Sequence, residues 1–433
     1  MSKFQIAVLS IFSVAIVFGV IFFATSKGSS TSNSANLLVW GTISPEAFDV
    51  AYRSSAIFEN KAVQVKYVKK DDADFQQNFV EALADGKGPD IVVLRDDVVY
   101  QNRNKLFPIP YKNFTARDFK DTFIEEGELF LNQDGILAVP FIVDPLVMYW
   151  NRDMFSNAVI SQPPKYWDEI VSSDKNPSII SKITKKDDNA NILQATIALG
   201  EWRNIVNAKE ILAMLFLQSG TPITSRNGSS VQSALNNSAI NTISPTQQAI
   251  NFYTQFSNPT SPAYTWNRSL SNSLNMFLVG NSSIYLGFAS EIFSIRQKNS
   301  NLNYDVTYVP QIRNTSKKIV FGHMYTLSIV KQSKQISGAY NLIMSLIQPA
   351  PIKALETVTN LPPVRRDLLA DRPSDAYRVV FYDSALISHS WIDPNPTASA
   401  NTFKDMIESV TGGKKSVNEA INEADRELTE QLK

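Results

Sequence analysis

The chain has 433 residues, 44% hydrophobic and 19% charged, enough for two domains with proper cores and too apolar for global disorder. Its 41 lysines and arginines balance 41 aspartates and glutamates, so the formal net charge is +0 and the basic excess that nucleic-acid phosphates demand is missing. Cysteine is absent and histidine occurs only at His323 and His389, which excludes disulfides, thiolate nucleophiles and lipid-modified cysteine and disfavours a histidine-rich metal centre.

Phe4 to Ala24 is an uncharged, mostly apolar run. As a helix it would extend roughly 32 Å, enough to cross the hydrocarbon layer, and it exceeds the usual apolar region of a signal peptide. A retained N-terminal transmembrane anchor is expected over residues 1–24, with a cleaved signal as the alternative. Residues 25–36, rich in Ser, Thr, Asn and Gly, read as a flexible tether. The folded mass all lies beyond the run, which places it on the extracytoplasmic side.

Leu37–Trp40 then reads as a strand closed by Gly41, and Val63–Val68 alternates as a half-buried strand should. Phe75, Phe79 and Leu83 recur at helical spacing before Gly86 and Gly88-Pro89 stop the helix. Ile91–Leu94 is a short apolar strand of the parallel-sheet kind. The order β, α, β, α, β predicts an α/β fold with a largely parallel sheet. Ile136 to Trp150 holds two apolar stretches divided at Asp144-Pro145, Trp167 reads as helix-packing core, and residues 221–245 read as loops. At the end of the chain, Ser416 and Glu419 form a capping box ahead of Val417, Ala420, Ile421, Ala424 and Leu428 at helical spacing.

Four groups of residues, taken together and in this order, carry a resemblance. They are Trp40-Gly41 with Phe58-Glu59 and Val63/Val65; Gly86-Lys87-Gly88-Pro89-Asp90 running into Ile91–Leu94; Gly135 to Pro140 with Asp144, Tyr149, Asn151, Asp153, Phe155, Pro163-Pro164-Lys165 and Trp167-Asp168-Glu169; and Leu361-Pro362-Pro363-Val364, Trp391-Ile392-Asp393-Pro394 and Gly412-Gly413. They resemble the family 1 extracellular solute-binding proteins, the group that includes maltose-binding proteins, over roughly residues 37–433. Two departures stand out. Trp150 occupies a place where a second tyrosine is common, and the cysteine of the usual lipid anchor is missing, which favours a protein anchor.

The resemblance implies two α/β lobes of the type II periplasmic-binding-protein fold with solute held between them. It implies lobe 1 over 37–143 plus 302–347 and lobe 2 over 144–301 plus 348–433, with crossings at Val143-Asp144-Pro145, near Tyr304 and near Gln348. It implies a sugar or oligosaccharide as the solute, a partner ABC permease in the membrane, and a monomer, with no cofactor. Asp97 also sits just past a strand end, where open α/β sheets hold ligands, and it matches a sugar-hydroxyl acceptor of the family. Asp144 matches a ligand carboxylate and Trp391 a stacking tryptophan. Trp40 at its strand end, Trp202 and Trp266 in the second lobe, and Phe288 and Glu291 after the Ile284–Leu286 strand complete the expected binding set, with Glu46 and Arg365 as weaker candidates. Alanine at Asp144 or Trp391 is expected to weaken binding while leaving the melting temperature little changed.

An enzyme is not expected. Phosphate-cradling Gly-rich loops, nucleophile elbows and zinc-type histidine spacing are absent from the sequence. Asp97 and Asp144 across a cleft could imitate a glycosidase pair, so a glycan-active enzyme is the alternative, with a sensing receptor as a third reading.

Overall fold

The computed structural model describes residues 35–171, 178–228, 230–236 and 243–433. The expected anchor at 1–24, and all but the last two residues of the tether, lie outside the described residues. Among those described, no helix is long and apolar enough to cross a membrane.

The first lobe opens with β1 (Ala35–Gly41), α1 (Pro45–Arg53), β2 (Val63–Lys69), α2 (Asp72–Ala84), β3 (Ile91–Arg95) and α3 (Asp96–Asn102). The sequence signals hold here. Phe75, Phe79 and Leu83 form the buried face of α2, each full burial contributing about 1.5–3 kcal/mol. Past its end, Gly86 takes φ +67°, a left-handed geometry that costs glycine little. Ile91 to Leu94 are all buried. Strand β1 lies parallel to both β2 and β3.

The chain leaves this lobe along β4 (Val139–Asn151) and builds the second with β5 (Ile192–Ile197), α4 (Ala208–Ser219), β6 (Ser282–Phe288) and β7 (Tyr304–Thr307). It returns along β8 (Val320–Val330), continues through α5 (Pro349–Thr359), α6 (Ala376–Leu386) and the short β9 (Ser388–His389), and ends with α7 (Pro396–Thr411) and α8 (Val417–Gln431). The capping box of Ser416 and Glu419 is formed, and Ala420, Ile421, Ala424 and Leu428 are buried.

Long strands β4 and β8 serve both lobes. One end of β8 runs antiparallel to β3, and its other end pairs with β4 through Met324–Val143, His323–Asp144 and Gly322–Pro145. Beyond that crossing β4 runs antiparallel to β6, which lies parallel to β5. The sheet order is therefore β2-β1-β3-β8-β4-β6-β5, continuous from one lobe to the other. The parallel sheet expected from the sequence is mixed, because both crossing strands enter antiparallel to their neighbours. The expected break at Asp144-Pro145 is also absent, since β4 runs straight through it.

Two expected boundaries can be set against this arrangement. Near Tyr304 the chain forms β7, which pairs with the far end of β4, Tyr304 opposite Asn151, while Tyr304 and Val306 join the buried cluster of the first-lobe strands. Pairing with β3 of the first lobe comes in β8, from Tyr325 opposite Arg95 to Ile329 opposite Ile91. The chain does not leave at Gln348: α5 packs on α1, and the Ile124 N–H donates to the Val364 carbonyl. Residues 221–245, read as loops, include a hairpin of Thr224–Asn227 and Ser230–Ser233.

Candidate interlobe solute site

A cleft of about 620 Å³ lies between the lobes, within the size range of small-molecule sites. Its first-lobe wall is made by Thr42, by Asp72 and Gln76 of α2, and by Arg95 and Asp97 where β3 ends and α3 begins. Its second-lobe wall is made by Trp202, by Lys209 and Glu210 in the first turn of α4, and by Thr397 and Asn401 of α7. Four helix N-termini, those of α2, α3, α4 and α7, thus open on the cleft and bring their partial positive charge to it. One of them, α4, starts from Asn207 at φ +61°, a conformation asparagine tolerates better than most residues. Another, α7, has its first N–H groups capped by Asn395.

Most of the charged side chains of the cleft are paired. Arg95 grips Asp97 in a fork, Nε to Oδ1 at 2.9 Å and Nη2 to Oδ2 at 2.6 Å. Burial works to raise the Asp97 pKa, but the Arg95 guanidinium outweighs it and holds the carboxyl below its ordinary range. On the opposite wall Lys209 donates to Asp393 Oδ2 at 2.5 Å and to the Pro396 carbonyl at 3.0 Å. Burial pushes Asp393 up to about 6 despite that lysine.

Behind the cleft, at the crossing, a second polar cluster is buried. Asp96 accepts from the Met324 N–H at 3.2 Å and from the Ser390 hydroxyl, and its Oδ1 lies 2.9 Å from His323 Nδ1. Glu126 accepts from Ser388 Oγ at 2.5 Å. Its Oε1 has no hydrogen-bond partner among the described residues, and burial together with nearby Asp96 pushes its pKa up to about 8.

Of the residues expected from the sequence, Asp97 and Trp202 line the cleft. The others lie elsewhere. Asp144 is buried on β4, accepts the Ser290 N–H at 3.0 Å, and is pushed up to about 6 by burial. Trp391 is buried where the lobes touch, stacked on Phe403 at 5.7 Å. Trp266 is fully buried in the second core, its indole N–H donating to Asn204. Trp40 is buried beneath the Lys70 ammonium, 3.9 Å above its ring. Phe288 stacks on His323 at 4.8 Å. Glu291 is consumed by the fold, accepting from Tyr285, Asn207 and the Phe288 N–H. Glu46 is exposed, and Arg365 is engaged by Asp367 and the Ile347 carbonyl. Trp167 is core, as expected, its indole N–H bonded to Gln218.

Sequence reasoning missed Arg95, Lys209, Glu210 and His323. Arg95 had a signal, since an arginine two residues before an aspartate at a strand end is placed to chelate it. His323, inside an otherwise apolar run, was weighed only as a metal ligand.

Comparison with known proteins bears on this arrangement. A cyclo/maltodextrin-binding protein complexed with maltotetraose superposes with a TM-score of 0.73 at 17% identity, covering 94% of this chain and 99% of that one. The cyclic alpha-maltosyl-1,6-maltose binding protein of Arthrobacter globiformis gives 0.73 at 14%, covering 92% and 99%. An ABC transporter solute-binding protein of Thermotoga lettingae bound with alpha-D-tagatose gives 0.63 at 18%, covering 92% and 100%. At these identities the likeness is one of fold. No curated protein matches the chain. Residues 56–381 match the family model described as bacterial extracellular solute-binding protein, and the chain belongs to that family.

Proposed function

We propose that the chain captures a sugar or oligosaccharide in the interlobe cleft by hinge closure and hands it, unaltered, to an ABC permease. The observation that carries this reading is the pre-paired charge of the cleft. Arg95 is forked onto Asp97, Lys209 is held by Asp393, and Glu210 faces His323 behind it. A neutral, hydroxyl-rich solute suits such walls, because paired ions keep spare lone pairs and N–H groups for hydroxyls. Trp202, half-buried at the edge, offers the apolar face that sugar C–H surfaces take. The solved structures of like fold with maltotetraose and tagatose support the choice of solute class.

Binding without chemistry is part of this reading. Asp97 is held ionised by Arg95 and is unsuited to donate a proton, and Asp144 stands outside the cleft. The uncharged run from Phe4 to Ala24 supports an anchored, extracytoplasmic monomer. The test is calorimetry and mass spectrometry of the purified full chain with maltotetraose, mannotriose and tagatose. One-to-one binding with the saccharide recovered intact is expected of at least one of them. Turnover, or no binding by any saccharide in a wider screen, would sink the reading.

A further inference from the structure

His323 stands in β8 at the point where that strand passes between the lobes, opposite Asp144 of β4. It is 8% exposed. Its two ring nitrogens face carboxylates from different lobes: Nδ1 lies 2.9 Å from Asp96 Oδ1, and Nε2 lies 3.6 Å from Glu210 Oε1 on α4. A neutral imidazole carries one N–H and one lone pair, so it can satisfy one of these carboxylates and must turn a lone pair toward the other. Only the imidazolium turns an N–H to both, as a hydrogen bond to Asp96 and as an ion pair with Glu210 across 3.6 Å. The ring cannot swing away to avoid the choice, because Phe288 stacks on its face at 4.8 Å and Phe321 meets it edge-on at 5.2 Å.

The surrounding charge favours the same state. Asp96 from α3, Glu210 from α4, Asp144 from β4 and Asp97, the residue after Asp96, act on the ring as carboxylates, and Glu126 near Ser388 joins them once it ionises above about pH 8. Arg95 is the opposing cation, and it is already forked onto Asp97. Burial alone would lower the His323 pKa, but Asp96 and Glu210 overcome it and raise it to about 10.

Both partners of the ring also belong to the cleft. Glu210 lines it, and Asp96 is chain neighbour to Asp97, which lines the other wall. We propose that His323 is the positioning residue of the cleft: as an imidazolium hydrogen-bonded to Asp96 of the first lobe and ion-paired with Glu210 of the second, it ties the two together and sets the spacing of the walls. Loss of the Nε2 proton to solvent at alkaline pH, or loss of the ring, releases Glu210 and lets the lobes part. The consequence for solute capture rests on the reading of the cleft given above; the tie itself does not.

The chain has two histidines, so a His389→Gln variant leaves one imidazole to observe. In the full chain labelled with carbon-13 at histidine Cε1, the His323 resonance should keep its imidazolium position through neutral pH and titrate near pH 10. Glu210→Gln, which is isosteric, should lower that midpoint by at least about one unit. A midpoint near the ordinary histidine value of about 6.5 would overturn the proposal. Because the chain lacks cysteine, spin labels at Val80→Cys and Val159→Cys, exposed sites on the two lobes, report their separation by dipolar spectroscopy. The separation should lengthen or broaden between pH 7 and pH 10.5, and His323→Gln and Glu210→Gln should already show the alkaline distribution at pH 7. Separations unchanged in both the folded variants and the alkaline wild type would likewise overturn it. Neither measurement uses a solute, so a chain that binds no saccharide yet shows the tie would sink the functional reading and leave this one standing.

Discussion

The fork between Arg95 and Asp97 shows how much a single charged pair can decide. Replacing Asp97 with Asn keeps the shape but strands the guanidinium at the cleft surface. The variant should bind any saccharide retained by the wild type at least tenfold more weakly, about 1.4 kcal/mol, by calorimetry. Trp202→Ala should do the same through lost stacking, since its ring borders the cleft. Trp391 and Trp266 belong to another class. Each is buried in the second core, so alanine at either should cost about 3–5 kcal/mol of stability in denaturant unfolding. For Trp391 this replaces the expectation of a binding defect at unchanged melting temperature. Asp144→Ala leaves the Ser290 N–H unpaired and should cost about 1–3 kcal/mol.

Elements were legible in the sequence where one physical signal dominated. Phe75, Phe79 and Leu83 announced α2 by periodicity, Ile91–Leu94 announced β3 by its unbroken apolarity, and Ser416 with Glu419 announced the start of α8. The crossing was less legible. Asp144-Pro145 looks like punctuation, yet β4 runs through it because β8 supplies a matching ladder from far along the chain. Pairing between distant segments leaves no local trace. The same holds for the cleft: Asp97 could be placed from its strand end, whereas the partners of Lys209 and Glu210, Asp393 and His323, lie more than a hundred residues away. Aromatic residues misled most, because a tryptophan that fills a core and one that borders a cleft look alike in one dimension. A test at this scale concerns Gly322, where β8 crosses. A Cβ there would collide with Ser388 Oγ and come within 3.0 Å of Glu126 Oε2. Gly322→Ala should therefore displace β9 from β8 and lower the melting temperature.

At the scale of the whole molecule, the buried groups of the crossing predict how stability follows pH. His323 is raised from 6.5 to about 10 and Glu126 from 4.5 to about 8, so over those windows the folded state holds protons that the unfolded chain releases. Stability then falls as pH rises. The His323 contribution is fully present below about 6.5 and is lost as pH passes through about 10. Melting temperature measured from pH 6 to pH 10.5 should decline, and His323→Gln should flatten the upper part of that curve.

Strands β4 and β8 also limit how the lobes can move. Two domains joined by slack peptide could swivel through any angle, but here the joint is a hydrogen-bonded ribbon with its ladder intact on both sides. Such a ribbon behaves like a leaf spring: it flexes and twists about one axis, stores elastic energy as it does so, and returns when the load is removed. Between Tyr325 and Thr326 the β8 register with β4 shifts, an irregularity of the kind that bends and twists a strand locally. A guest molecule therefore acts against a restoring force, and part of the energy of its capture is kept in the bent backbone, available to help let it go.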